Sequence, residues 1–341
     1  MTAMTGKVQT VTGLIEPSAM GYTLAHEHLL ANICPPVDRG LPEGPLTLDK
    51  LGSDRRHWDR NPLNARLESE PEAIEEMRQF KAAGGGTVVE VTSIGLRRDP
   101  AGLQRIAEAS GVNIVMGASY YVHHYHPPEV AGMSEGQITE RIVRDVRDGV
   151  DDTGVRAGII GEVGLYWPVH ADEVKVLRAS AVAQRETGAP LMIHPGRDPA
   201  APLDAISVVK EAGGDPSRTI MAHIDRTLFQ CEDMLALAET GCYLEFDLFG
   251  HESSYYPLAP IDMPNDATRI DHLMALIEAG CRDRLLVAHD ICHKHRMRKY
   301  GGDGYSHLLE NVLPVMRRKG MSEDDVQALF AANPARIMAF V

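Results

Sequence analysis

Two rhythms of apolar positions alternate along the chain: short β-branched or apolar runs, and longer stretches with an apolar residue every three or four positions. The first short run, 22–28, reads as a strand ending in His26, Glu27 and His28. Side chains on a strand alternate between faces, so the two imidazoles aim at one spot while Glu27 points away. Further strands are predicted at 87–92, 113–122, 157–164, 190–195, 219–225, 242–248 and 284–290. Helices are predicted between them at 72–83, 100–110, 134–150, 172–187, 204–212, 231–240 and 267–279, and two more, 305–319 and 322–332, close the chain. Gly84, Gly85 and Gly86 stop the first helix, and Pro100 and Gly111 bracket the second.

Eight strands, each followed by helical sequence and with no break in composition, predict an α/β fold: one (β/α)8 TIM barrel forming a single domain over residues 1–341, with C-terminal helices in 305–341. A doubly wound sheet more often has fewer strands and a glycine-rich phosphate turn. No G-x-G-x-x-G or G-x-x-x-x-G-K-[ST] occurs, so nucleotide binding has no support. The long excursion after the first strand, 31–71, is rich in Pro, Gly, Asn and Asp, and a loop of that length in a compact domain suits a cover over a site.

Composition narrows the function classes. The 341 residues, 44% of them apolar, can bury a large core, while a net charge of -14 argues against nucleic acid or an anionic membrane as partner. Cys34, Cys231, Cys242, Cys281 and Cys292 are odd in number and lack metal-type spacing, which predicts reduced thiols and a cytoplasmic protein. Neither a signal-peptide pattern nor a membrane-spanning run is present. A homodimer is compatible with barrel helices, though no stretch marks its interface.

In a barrel the carboxyl ends of the strands gather on one face, where catalytic groups sit. His26, His28, Glu162, His194, His223 and Asp290 all lie in or close apolar strands and therefore converge. One such residue reads as a hydrogen-bonded structural group; six together point to a metal site. Four imidazoles and two carboxylates exceed the needs of one tetrahedral ion, so the set predicts two divalent ions. Glu162 is the natural bridge, with His26, His28 and Asp290 on one ion and His194 and His223 on the other. A bridging hydroxide would then attack the substrate, and the predicted chemistry is hydrolysis.

The chain resembles the phosphotriesterase branch of the amidohydrolase superfamily, closest to the phosphotriesterase-related group. The likeness spans nearly the whole sequence: Gly6-Lys7-Val8-Gln9-Thr10-Val11, Thr23-Leu24-Ala25-His26-Glu27-His28, residues 158–164, His194-Pro195-Gly196-Arg197, His223-Ile224-Asp225-Arg226-Thr227, residues 241–250, Val287-Ala288-His289-Asp290 and residues 300–307. The resemblance implies a binuclear metal barrel, usually with Zn2+ and alternatively Mn2+ or Co2+, with ligands at the six positions above. Two departures separate it from organophosphate-degrading members. Glu162 stands where those enzymes carry a carboxylated lysine, and Leu248 stands where they have a proton-shuttling histidine, so phosphotriester turnover is expected to be promiscuous at most.

A small-molecule acyl substrate is then expected. The phosphotriesterase-related group implies hydrolysis of an amide C–N bond in N-acetyltaurine or an N-acyl amino acid, neighbouring members imply a lactonase, and members once named as binding proteins suggest a metal-containing protein without turnover. Asp290 is the expected proton carrier, because an amine leaving group needs a returned proton. Arg197 and Arg226 offer planar forks for an anionic tail, with an Arg226 to Asp225 pair as the structural alternative. Tyr120 and Tyr121 end the third strand and offer a hydroxyl, and Lys294 belongs to a basic run, His293 to Arg296, at the predicted mouth.

Overall fold

The computed structural model describes residues 4–34, 40–41 and 43–341; positions 35–39 and 42 of the predicted excursion lie outside the described residues. Eight parallel strands pair in chain order: Tyr22–Glu27, Gly85–Glu90, Asn113–Ala118, Ile159–Gly164, Leu191–His194, Thr219–Met221, Tyr243–Phe246 and Leu285–Val287. Helices cover the sheet between successive strands, as in a (β/α)8 barrel. One apolar cluster, including Met20, Ala25, Val89, Val115, Ile159, Met192, Ile220 and Leu286, fills the barrel interior. A larger one packs sheet against helices. Val8 from an N-terminal hairpin and Ile337 and Met338 from the last helix join the interior cluster.

Local chemistry sets the helix ends. Ser134 caps Glu135–Arg147 in a capping box with Gln137, and Asp99 caps Pro100–Ser110, which stops at left-handed Gly111. The second C-terminal helix runs on past the expected residue 332, through Asn333–Met338, because Ile337 and Met338 plug the barrel.

Several strands are shorter at their carboxyl ends than the apolar runs predict. The sixth stops at Met221, and His223 turns left-handed (φ 54°) into a helical turn, Ile224–Thr227, instead of extending the strand to 225. The eighth stops at Val287, with Asp290 also left-handed (φ 51°). Such conformations in non-glycine residues persist where surrounding structure holds them, and they cluster at functional sites.

The ladder between the eighth and first strands is not formed. The excursion after the first strand contains a helix, Leu51–Arg56, the turns Trp58–Arg60 and Pro62–Ala65, and a small pair, Ala31–Asn32 with Arg66–Leu67. It folds over the carboxyl end of the barrel: Asn64 Oδ1 accepts from His295 N (3.0 Å), and the Trp58 ring meets His293 edge-on at 4.7 Å. All five cysteines are unpaired, and no helix among the described residues is long and apolar enough to cross a membrane.

Candidate metal centre and cavity

The six residues read from strand ends meet at one point. A skip in the ladder between Leu24 and Glu27 lets Ala25 pack into the barrel interior while His26 faces the site above it. His26 Nε2 is buried without a hydrogen-bond partner, 3.6 Å from Glu162 Oε2 and 3.7 Å from Asp290 Oδ1. His28 Nε2 lies 3.4 Å from Glu162 Oε1 and 3.3 Å from Asp290 Oδ1. His194 Nδ1 is 2.9 Å and His223 Nε2 3.5 Å from Glu162 Oε2. Glu162 thus touches all four imidazoles, one oxygen toward His28 and the other toward His26, His194 and His223. Donor atoms of His26, His28 and Asp290 lie within 4.8 Å of one another, as do those of His26, Glu162 and His223. This cluster of nitrogen and oxygen donors fits a metal site.

An outer layer fixes the imidazoles. Glu245 Oε2 accepts from His26 Nδ1 (3.1 Å), Asp247 Oδ1 from His223 Nδ1 (2.8 Å), and Thr92 Oγ1 meets His28 Nδ1 (2.9 Å). In these three residues the tautomer that donates Nδ1–H leaves the Nε2 lone pair aimed into the cage. Glu245 and Asp247 were not singled out from the sequence. Their signal is two acids two positions apart in an otherwise apolar strand, which places both on one face.

Charge in the cage is out of balance. Glu162, Asp290, Glu245 and Asp247 surround the imidazoles, with the Arg226 guanidinium beside His194 Nε2 (3.2 Å). Burial opposes the charged form of His28, yet contacts with Asp290 and Glu162 raise it well above the usual histidine range. Burial likewise opposes the His223 imidazolium, but Asp247 lifts its pKa to about 9. Burial drives Glu162 up, but the imidazoles, led by His194, bring it well below the carboxylate range. Glu245 is driven well above that range by burial and then by Asp247. The carboxylates demand positive charge at their centre.

Above the cage lies a cavity of about 260 Å³. His194, His223 and Asp290 reach it from below, Arg197, Arg226, His251 and Tyr256 form one wall, and Trp58, Pro62 and Ala65 of the excursion form another. Arg226 is buried and donates to Thr227 Oγ1 (3.1 Å) and Pro195 O (3.2 Å), while Arg197 Nε donates to Tyr256 Oη (2.8 Å). Among the described residues neither guanidinium pairs with a carboxylate. Burial and then the neighbouring charge of Arg197 lower the Arg226 pKa.

The alternative pairing of Arg226 with Asp225 is corrected by the structure, since Asp225 Oδ2 accepts from Arg269 Nε (2.7 Å). Arg269, fully buried, also donates to Asp266 Oδ1 (2.9 Å). Replacing it by methionine is expected to cost about 3–5 kcal/mol, because two carboxylates lose their cation. Urea unfolding measures this, and a loss below about 1 kcal/mol would show that the carboxylates relax toward water.

Tyr121 lines the cavity, its hydroxyl 3.5 Å from His194 Nδ1. Tyr120 does not: it is buried in the outer core, its ring edge-on to His126, because neighbours on an extended chain face opposite ways. Lys294 is also off the cavity wall, whereas His293, His295 and Arg296 of the same run line it. Residues Lys294–Arg296 form a helical turn that leaves His293 and His295 buried and Lys294 half-exposed.

A cage of histidines and carboxylates at the carboxyl ends of barrel strands, under a small cavity with aromatic, apolar and cationic walls, is the architecture of a metal-dependent hydrolase. The chain belongs to the phosphotriesterase family, whose sequence profile matches residues 6–338. It is 44% identical to the N-acetyltaurine hydrolase of Homo sapiens over 348 aligned positions, covering 100% of both chains. Among solved structures it is similar to a resiniferatoxin-binding protein from Rhodobacter sphaeroides, with TM-score 0.93, 35% identity and coverage of 98% of this chain and 95% of that one. It is also similar to a mutant of a lactonase from Deinococcus radiodurans, with TM-score 0.77, 26% identity and coverage of 97% and 99%.

Proposed function

We propose that this protein is a binuclear metal amidohydrolase that cleaves the C–N bond of a small anionic N-acyl amine, N-acetyltaurine or an N-acyl amino acid. The observation that carries this reading is the cavity wall with two guanidiniums, Arg197 and Arg226, that meet no carboxylate among the described residues, beside the metal cage. Buried cations without a counter-charge are costly, and the sulfonate or carboxylate of such a substrate supplies one.

His26, His28 and Asp290 would hold one divalent ion and His194 and His223 the other, with Glu162 shared between them. Six donor residues, more than one tetrahedral ion uses, support two dications rather than one, with Zn2+ the expected metal and Mn2+ or Co2+ alternatives. Bound there, the ions supply a water-derived nucleophile at neutral pH and polarise the substrate carbonyl. Asp290, which borders the cavity, takes up the proton released as the new C–O bond forms and hands it to the amide nitrogen as the C–N bond breaks. Arg197 and Arg226 orient the anionic tail, and Tyr121 lies close enough to His194 to donate to the substrate carbonyl.

The test is a paired assay on metal-analysed protein, comparing N-acetyltaurine and N-acyl amino acids with γ- and δ-lactones. Preference for the amides by several orders in kcat/KM is expected. Preference for lactones would make the protein a lactonase, with Tyr121 as a specificity element, and no turnover at full metal occupancy would make it a binding protein. In the same assay Arg226→Met is expected to raise KM for the anionic amides by roughly 10–150-fold, the worth of a charge-assisted hydrogen bond of about 1.5–3 kcal/mol. Neutral lactones should be insensitive, and a shared change in both classes would remove Arg226 from anion recognition.

A further inference from the structure

Glu27 sits between two imidazoles of the cage and points away from them. It is fully buried, and its carboxylate is used by the segment that follows the eighth strand. Oε1 accepts from His289 N (2.9 Å) and His289 Nδ1 (2.7 Å), and Oε2 accepts from Ile291 N (2.9 Å). Leu308 N donates to His289 Nε2 (3.0 Å), which leaves the ring proton on Nδ1 for Glu27. The two backbone amides that Glu27 holds are those on either side of Asp290.

This is also the seam where the barrel has no ladder. The backbone contributes Asp290 N to His26 O at 3.2 Å there. A regular ladder would keep 289–291 extended, in register with the first strand. A carboxylate replaces the ladder's acceptors and lets the chain leave the sheet, with Asp290 left-handed at φ 51°. That turn brings Asp290 Oδ1 to 3.3 Å from His28 Nε2 and 3.7 Å from His26 Nε2 and sets its carboxyl on the cavity.

We propose that Glu27 is a positioning residue for the reaction: by clamping the amides of residues 289 and 291 it holds the Asp290 carboxyl where it can serve both the metal cage and the substrate's proton transfer. The inference rests on the reading of Asp290 given above. The other seven pairings are closed by backbone ladders; at this seam one buried carboxyl takes both amides that flank Asp290.

The test is Glu27→Gln in the full chain, assayed with zinc loaded and analysed. Glutamine keeps an oxygen for His289 but turns an N–H2 toward Ile291 N, so one clamp is lost. The expected result is a kcat reduced by roughly 10–100-fold with KM within threefold, and zinc affinity measured by chelator competition weakened by a similar roughly 10–100-fold, as for other outer ligand partners. Asp145→Asn, which breaks the distant Arg98 to Asp145 pair, serves as a control for lost stability and should leave kcat and zinc affinity unchanged.

If Glu27→Gln does not fold, His289→Gln leaves both amide bonds to Glu27 but removes the imidazole that braces its Oε1 and accepts from Leu308 N; the loosened clamp should show the same kcat-selective pattern more weakly, at roughly three- to tenfold. Zinc affinity within twofold of the parent, whatever happens to the melting temperature, would reduce Glu27 to a structural residue and overturn the proposal. An active Asp290→Asn variant would instead overturn the underlying reading of the site, and the two failures are told apart by that second variant.

Discussion

Replacing Asp290 by asparagine is expected to lower kcat on N-acetyltaurine by about three orders of magnitude, the range lost when a positioned proton carrier is removed. Among the cage carboxylates Asp290 is the one on the cavity wall, with 16% of its side chain exposed against 3% for Glu162. Asparagine has the same shape, and the backbone bonds from Asp290 N to His26 O and from residues 289 and 291 to Glu27 do not involve the side chain. The fold and the cavity should therefore persist, which circular dichroism and an unchanged melting profile would check. Asparagine cannot take up a proton and return it. An amine leaves poorly as an anion, whereas an activated ester leaves without protonation, so the loss on the amide should exceed that on an activated acetate ester by at least about tenfold. An amide kcat within tenfold of the parent would assign the proton transfer to another group.

Much of this site was legible because of where apolar strands end. His194 closes Leu191-Met192-Ile193, His223 follows Ile220-Met221-Ala222, and Asp290 follows the run that begins at Leu285, so a count of eight such runs puts the polar ends on one face. The same runs misled at their carboxyl ends. His223 and Asp290 lie beyond the ladder because their chains must turn out of the sheet to aim at the centre, and hydrophobicity does not register a change of sign in φ. Glu245 and Asp247 share a strand face and were readable by alternation, while their value depends on His26 and His223 lying behind them in space.

The cavity wall was the least legible part. Trp58, Pro62 and Ala65 come from an excursion with little periodicity, and their place is fixed by distant partners such as Asn64 with His295. Period alone says that only one of the neighbours Tyr120 and Tyr121 can face the axis, but not which. The parity is set by the third strand, where Ile114, Met116 and Ala118 pack in the outer core with Tyr120, while Val115 fills the interior.

The second large effect is expected at Glu162. In Glu162→Gln the side chain keeps its length but loses its charge, and one of its two acceptor oxygens becomes a donor. An amide cannot give an anionic oxygen to each of two cations, so bound metal should fall from two equivalents per chain to one or fewer, with kcat lower by at least about three orders of magnitude. Stability gives an independent readout. A ligand that binds only the folded state at 100 times its Kd stabilises it by about 2.7 kcal/mol, so the rise in melting temperature on adding zinc should shrink in the variant by the share of the lost ion. Without metal the two proteins should melt within a few degrees of each other, because His194 and His223 can still hydrogen-bond a neutral amide where Glu162 lay within 2.9 and 3.5 Å of them. Two equivalents of zinc retained by Glu162→Gln would show that the ions do not share this side chain, and the pairing of ligands would then have to be redrawn around His26, which lies within 4.8 Å of both donor groups.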